Sequence, residues 1–305
     1  MHEHLHESER SERRLGIAFI ITASYLIVEV IGGFLFNSLA LLADAGHMVS
    51  DMMALGLSWV ALQIGKRSAT DRHTFGFKRT EILAALLNGV ALWGIVGLIL
   101  YEAVRRFFAP EPTQGAGMVA IASIGLAVNL AMAAMLYRDR TANLNIKGAF
   151  LHVLSDALGS MGAIVAGVII ILTGFTLADP LVSVFIAFLV LHSSWGLVKE
   201  SVHILMEGAP VDVDVKQIEE CIVQQPGICC VHDLHVWSIT SNRHSLSAHV
   251  VLSDASFDRQ DALRNLNKVL GERFHIHHTT IQIEQTHEMP PDAQGIYCRA
   301  GTSCN

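Results

Sequence analysis

The sequence predicts an α-helical membrane protein: a six-helix transmembrane bundle followed by a small cytoplasmic α+β domain of αββαβ, ferredoxin-like order. Three observations carry that prediction. Of 305 residues, 51% are hydrophobic and 16% charged, where soluble domains average about a quarter charged. The apolar residues gather into six windows, each near the roughly 20 residues that a helix needs to cross hydrocarbon. After Glu207 the pattern turns polar and periodic.

The head, MHEHLHESERSERR, is a polar, histidine-containing segment (1–14) expected in the cytoplasm. The apolar stretch behind it is too long for a signal-peptide core and lacks a small-residue cleavage site, so no cleaved signal is expected. The transmembrane domain (15–208) places its spans at about 15–36, 39–63, 81–107, 117–136, 147–172 and 180–197. The segments on one side hold twelve lysines and arginines from Arg10 to Lys199, and the other side holds only Arg105 and Arg106. Basic residues stay in the cytoplasm, which puts both termini there.

A Gly-Ala-Pro break in EGAPVDVD opens the second domain (209–286). VDVKQIEECIVQ reads as an amphipathic helix, and CCVHDLHVWSIT and SLSAHVVL alternate as strands. FDRQDALRNLNKVLGERF is a second helix with Asp258 near its start, and TTIQIEQ a third strand. Residues 287–305 have no periodicity and are expected to form a mobile tail.

A net charge of -7, with no basic patch interleaved with aromatics, excludes a nucleic-acid partner. The five cysteines are odd in number and confined to the last third, which is not the pattern of a disulfide framework.

The chemistry lies inside the spans. In LLADAGHMVSDMMAL, Asp44, His47 and Asp51 are three and four residues apart and share one helix face. LHVLSDALGSMG in the fifth span repeats the device with His152 and Asp156. Two imidazoles and two carboxylates facing each other make a four-coordinate set that cancels both charges of a divalent ion and suits tetrahedral zinc. Cobalt, nickel and copper(II) also accept such ligands. Copper(I) is disfavoured by the absence of cysteine from the spans. The alternative is a helix-packing clasp, each histidine bonded to its own aspartate. A charged group at the bilayer centre costs about 2.5–3.5 kcal/mol on the insertion scale, and two matched pairs are therefore a pathway more readily than a coincidence. Asp44 has two readings, an outer partner orienting His47 or a group near the end of the span. Glu29, Asn88 and Asn129 are further polar groups within spans, lining a water path or bonding neighbouring helices.

LADAGHMVSD and HVLSDALGS, with the basic loop DRHTFGFKRTEILAA and the break LMEGAP, resemble the cation diffusion facilitator family, in particular its zinc-transporting branch. The resemblance covers nearly the whole chain. It implies a homodimeric zinc/proton antiporter that exports Zn2+ by alternating access, with His47, Asp51, His152 and Asp156 as the transport site. It also implies an inner (plasma) membrane location if the source is bacterial. Histidine first in the second-span pair resembles members preferring zinc to cadmium; cadmium, cobalt or nickel as main substrate is the alternative. Ligands must lose protons to bind metal, and histidine titrates near neutrality, so protons and zinc compete for one site.

The resemblance further implies a regulatory metal site at His232, His249 and Glu284, where Gln282 replaces a histidine of some members. It implies thiolate ligands at Cys298 and Cys304, like a C-terminal cysteine pair in some eukaryotic members, although the spacing departs from C-x-x-C. A third family site, in the loop after the second span, keeps His73 and Asp71 but has Phe77 in place of its second histidine, and is expected to be degenerate. Arg79 and Glu207 match the family's charged interlock. An intramembrane zinc enzyme is the rival of another class; the chain lacks H-E-x-x-H, and no glutamate lies beside either pair to serve as general base. A passive channel would favour a weaker ring of carboxylates.

Overall fold

The computed structural model describes residues 20–137, 144–240, 243–254, 257–285 and 297–298. The predicted head, residues 1–14, lies outside them. The chain divides into two compact units, Met1–Leu57 with Leu87–Leu197, and Ser58–Leu86 with Val198–Asn305.

Five helices are long and apolar enough to cross a membrane: α2 (Leu39–Gly65), α3 (Thr80–Phe108), α4 (Gly115–Tyr137), α5 (Leu144–Thr173) and α6 (Ala178–Leu205). They match five of the six expected spans. The sixth expectation falls on α1 (Ile20–Leu35), which is shorter, because residues 15–19 of that window lie outside the described residues.

The first unit closes on small side chains. Ala40, Ala43, Ala103, Ala122, Ala163, Ala166 and Ala187 are all buried in one cluster with Leu41, Met118 and Ile186. Small residues let helix backbones approach where lipid supplies no hydrophobic drive between them. α5 stops at Gly174, whose φ of +71 takes the chain out of the helix while its N–H still reaches Ile170 O at 2.9 Å.

The start of α2 needs partners for its orphan N–H groups. Asp179, at the start of α6 and wholly buried, accepts from Leu39 N at 2.7 Å, Ala40 N at 3.0 Å and Ser38 Oγ at 2.8 Å. Arg106, 5% exposed, donates to Asp179 Oδ2 at 3.4 Å, to Asn37 O at 2.8 Å and to Asn37 Oδ1 at 2.7 Å. A buried carboxylate is thereby paired with a guanidinium and with a helix N-terminus, the two groups that suit it best.

In the second unit, the predicted αββαβ order is found in α7 (Val215–Val223), β1 (Ile228–Thr240), β2 (Arg243–Leu252), α8 (Arg259–Phe274) and β3 (His278–Gln285). Asp214 caps α7 by accepting from Lys216 N at 3.0 Å, and Asp258 caps α8 by accepting from Gln260 N at 2.7 Å. Ile218 and Ile222 of α7 and Leu266 and Leu270 of α8 pack on Val231, Leu246 and Val250 of the sheet. β1 and β2 are antiparallel, and β3 joins β2 in parallel. The sheet gains a strand the sequence did not signal. β4 (Tyr297–Cys298), within the expected tail, pairs with β1, and Cys298 is disulfide-bonded to Cys230. A two-residue strand has no periodicity to read, and a bond across 68 residues has no spacing signature.

Asp179→Ala is expected to lower stability by about 3 kcal/mol, since it strands Arg106 and the α2 N-terminus without their buried acceptor. Thermal unfolding in detergent, compared with an exposed-site control such as Glu272→Ala, checks this; equal melting of the two variants would refute it.

Candidate metal centres

His47 and Asp51 are one turn apart on α2, and His152 and Asp156 one turn apart on α5. The structure brings all four together. His47 Nε2 lies 3.6 Å from Asp51 Oδ2 and 3.9 Å from Asp156 Oδ1, and His152 Nε2 lies 3.2 Å from Asp51 Oδ2 and 3.6 Å from Asp156 Oδ2. The two imidazole rings are 5.5 Å apart and inclined at 60°, so they do not stack. One ligand atom each from His47, His152 and Asp156 falls within 4.8 Å of the others. A tetrahedron with arms of about 2.1 Å has edges of about 3.4 Å. The four histidine–carboxylate separations bracket that edge.

Burial is graded across the site. The Asp156 and His47 side chains are 9% and 18% exposed, Asp51 and His152 39% and 44%. Asp51 Oδ2 and His47 Nδ1 are buried without a hydrogen-bond partner among the described residues. Asp44 does not hold His47 Nδ1, which has no hydrogen-bond partner among the described residues. Asp44 is 4% exposed and Glu29 wholly buried. Asn88 accepts from Ser50 Oγ at 3.4 Å, a bond between helices.

In the sheet, His232 on β1 stands opposite His249 on β2, their rings 5.0 Å apart. Glu284 on β3 bridges them, with Oε2 2.9 Å from His232 Nε2 and Oε1 2.6 Å from His249 Nδ1. Burial pushes the Glu284 carboxyl up, but its hydrogen bonds and charge interactions with the two histidines outweigh burial and hold it below its ordinary value. Gln282 also donates to Glu284 Oε1 at 2.8 Å.

Sequence reasoning missed Asp233. A register shift between His232 and His235, with Asp233 at φ 49, turns its carboxylate to within 3.2 Å of His232 Nδ1. His232, Asp233 and His249 form a cluster of metal-ligand geometry. The string HDLH offered no sign of the bulge.

Of the remaining candidates, Cys298 is held in the bond to Cys230, where it offers no thiolate, and Cys304 lies outside the described residues. The His73 ring lies against Phe77, centroids 4.6 Å apart and planes tilted by 32°. Arg79 reaches Glu207 Oε1 at 3.3 Å, a largely exposed pair worth under about 1 kcal/mol. A cavity of about 800 Å³ in the second unit, lined by residues including Arg79, Glu207 and Trp237, contains neither set of ligands.

Residues 15–206 match the cation efflux transmembrane domain family, and residues 210–286 the cytoplasmic domain family of cation efflux proteins. A cadmium, cobalt and zinc/H(+)-K(+) antiporter of Bacillus velezensis is 47% identical over 287 residues, 93% of this chain and 91% of that protein. The zinc transporter ZitB of Escherichia coli K12 is 43% identical over 290 residues, 93% of this chain and 92% of that one. The metal cation efflux system protein CzcD of Cupriavidus metallidurans is 42% identical over 283 residues, 93% of this chain and 89% of that one. With both domains matched end to end and a ligand cluster within its spans, the chain belongs to the cation diffusion facilitator family, whose members are metal transporters and not enzymes.

Proposed function

We propose that this protein is a zinc/proton antiporter that exports Zn2+ from the cytoplasm through His47, Asp51, His152 and Asp156. One observation carries the reading: the four histidine–carboxylate separations of 3.2–3.9 Å, set against the tetrahedral edge of about 3.4 Å that zinc requires. Two carboxylates neutralise the ion, and two neutral imidazoles add nitrogen donors without adding charge. The relatives named for zinc, cadmium and cobalt support a divalent substrate.

The reading includes six spans, α1 being the first, both termini in the cytoplasm, and a transport domain over 15–208 joined to a cytoplasmic domain over 209–286. The protein works as a homodimer in the lipid bilayer, which for a bacterial source is the inner (plasma) membrane. Zinc loads when the ligands are free of protons. When the site opens to the more acidic side, protons take the imidazoles and carboxylates and the ion leaves. Helix contacts made by small residues permit the change of access. The His232, His249 and Glu284 site, with Asp233 as an added ligand, binds zinc as a regulatory ion and adjusts activity to cytoplasmic supply. Cys298 joins Cys304 as a thiolate donor only in the reduced protein.

Four outcomes test these assignments. In liposomes with a zinc dye inside and an imposed pH gradient, wild-type uptake rises with the gradient, and Asp51→Ala or Asp156→Ala lowers it by more than about 100-fold; uptake indifferent to both gradient and substitution refutes the antiporter. His47→Asp replaces a nitrogen donor by oxygen and is expected to strengthen cadmium competition about tenfold, read as the cadmium concentration that halves zinc uptake. Glu284→Gln removes the anionic bridge between the two sheet histidines, and calorimetric zinc binding at neutral pH is expected to lose one class of site. Because Glu284 titrates below its ordinary value in the folded domain, the stability its carboxylate contributes is present at neutral pH and disappears as pH falls through that lowered value. The stability of the metal-free protein should therefore be lower at neutral pH in Glu284→Gln than in wild type and fall less steeply with acid, read from denaturant unfolding across the acid range.

A further inference from the structure

α2 ends at Gly65 and α3 begins at Thr80, and both helices are long and apolar enough to cross a membrane. The connection between them, 66–79, therefore lies at a membrane surface, at the level of the lipid headgroups. It carries Lys66, Arg67, Arg72, Lys78 and Arg79 against a single acid, Asp71. Thr70 and His73 exchange backbone hydrogen bonds at 3.2 and 3.0 Å, and Gly76, at φ +74, donates its N–H to His73 O at 2.8 Å. Thr80 Oγ1 closes the end by donating to Phe77 O at 2.6 Å. These turns fold the connection back on itself, and Lys66 and Arg67 from its start meet Lys78 from its end around one space.

That space is a cavity of about 370 Å³ in the second unit. Lys66, Arg67 and Lys78 line it from the connection, and Arg243 lines it from the start of β2. Among the described residues no carboxylate lines it, and none of these four cations makes an ion pair. Arg79 differs, because it borders the adjoining 800 Å³ cavity, where Glu207 answers it at 3.3 Å. Four like charges around one space repel one another, and an anion placed among them turns repulsion into attraction. Phosphate oxygens suit both kinds of cation, lysine as a point charge and arginine as a planar fork. The hydroxyls of Ser68 and Thr74 add neutral donors at the same wall.

The volume is at the lower end of the range of small-molecule sites, about 300–1,000 Å³, which fits a headgroup with its chains left outside. Apolar surface lies beside it for those chains. Phe75, 51% exposed, lines the cavity with its ring edge-on to His278, and the last turns of α2 expose Trp59 and Leu62. Aromatic side chains collect at this depth of a bilayer.

We propose that this cavity holds the phosphate of an anionic phospholipid headgroup, gripped by Lys66, Arg67, Lys78 and Arg243. Three of the grips come from the connection and the fourth from β2, so the lipid ties the ends of α2 and α3 to the sheet. A polybasic segment by itself attracts any anionic surface; Arg243, remote in sequence, is what makes the cluster a site. The proposal goes beyond the transport reading and is independent of the ion carried. It needs only that α2 and α3 span the bilayer.

Purified full-length protein in non-ionic detergent is titrated with short-chain phosphatidylglycerol or with phosphatidylcholine of the same chains, and bound lipid is counted by native mass spectrometry. Phosphatidylglycerol is expected to bind about tenfold more tightly than phosphatidylcholine, and Arg243→Gln and Lys78→Gln each to weaken it about fivefold. Lys268→Gln, which removes an exposed cation of α8, is expected to leave its affinity unchanged. Equal binding of the two lipids overturns the site, and so does full affinity in the Arg243 and Lys78 variants. A loss in Lys268→Gln as large as that in Arg243→Gln also overturns it, since attraction to overall charge then explains the binding. Inorganic phosphate that displaces phosphatidylglycerol at equal concentration assigns the cavity to a soluble phosphate and overturns the lipid. Melting temperatures confirm that the variants are folded; should one of them not fold, the affinity of the other decides.

Discussion

Inside hydrocarbon no water can answer a polar group, so a buried acid or base in this bundle has to find its partner on another helix or be held ready for an ion. That constraint organises the first unit. Asp179 is answered by Arg106, Ser38 and the first N–H groups of α2. His47, Asp51, His152 and Asp156 face one another across α2 and α5 at 3.2–3.9 Å, with Asp51 Oδ2 and His47 Nδ1 still lacking hydrogen bonds. The two groups differ in what they leave over. Asp179 has its acceptor capacity filled by protein, as a fixed joint requires. In the four-residue cluster the histidine and carboxylate atoms stand 3.2–3.9 Å apart, with two polar atoms left unanswered.

The same distinction separates the metal candidates of the second unit. Glu284 is already engaged by His232, His249 and Gln282, so an ion entering there has to displace hydrogen bonds that the metal-free domain makes for itself. Asp233 widens the choice of ligands, because the bulge that aims it at His232 places a second carboxylate on the other ring nitrogen.

Small residues connect the two themes. The alanines of the core, Gly159 against Asp44 and Gly125 against Tyr25 bring backbones close enough for short side chains to meet. Without that proximity, side chains as short as Asp51 and Asp156 would not meet His152 and His47 from the facing helix.

Much of this protein was determined by its sequence alone. Long apolar windows can only be satisfied as helices in a membrane, so five of the spans were legible, and the period of the helix placed His47 with Asp51 and His152 with Asp156. Alternation and cap residues such as Asp258 marked the αββαβ domain. What the sequence could not carry was any relation between residues distant along the chain without a periodic signature. The approach of α2 to α5, the clasp of Asp179 on the start of α2, and the pairing of β4 with β1 through Cys230 and Cys298 were decided by tertiary packing. So was the bulge at Asp233. Helical spacing says which face a side chain occupies, whereas the partner it meets there depends on how closely the next backbone can come.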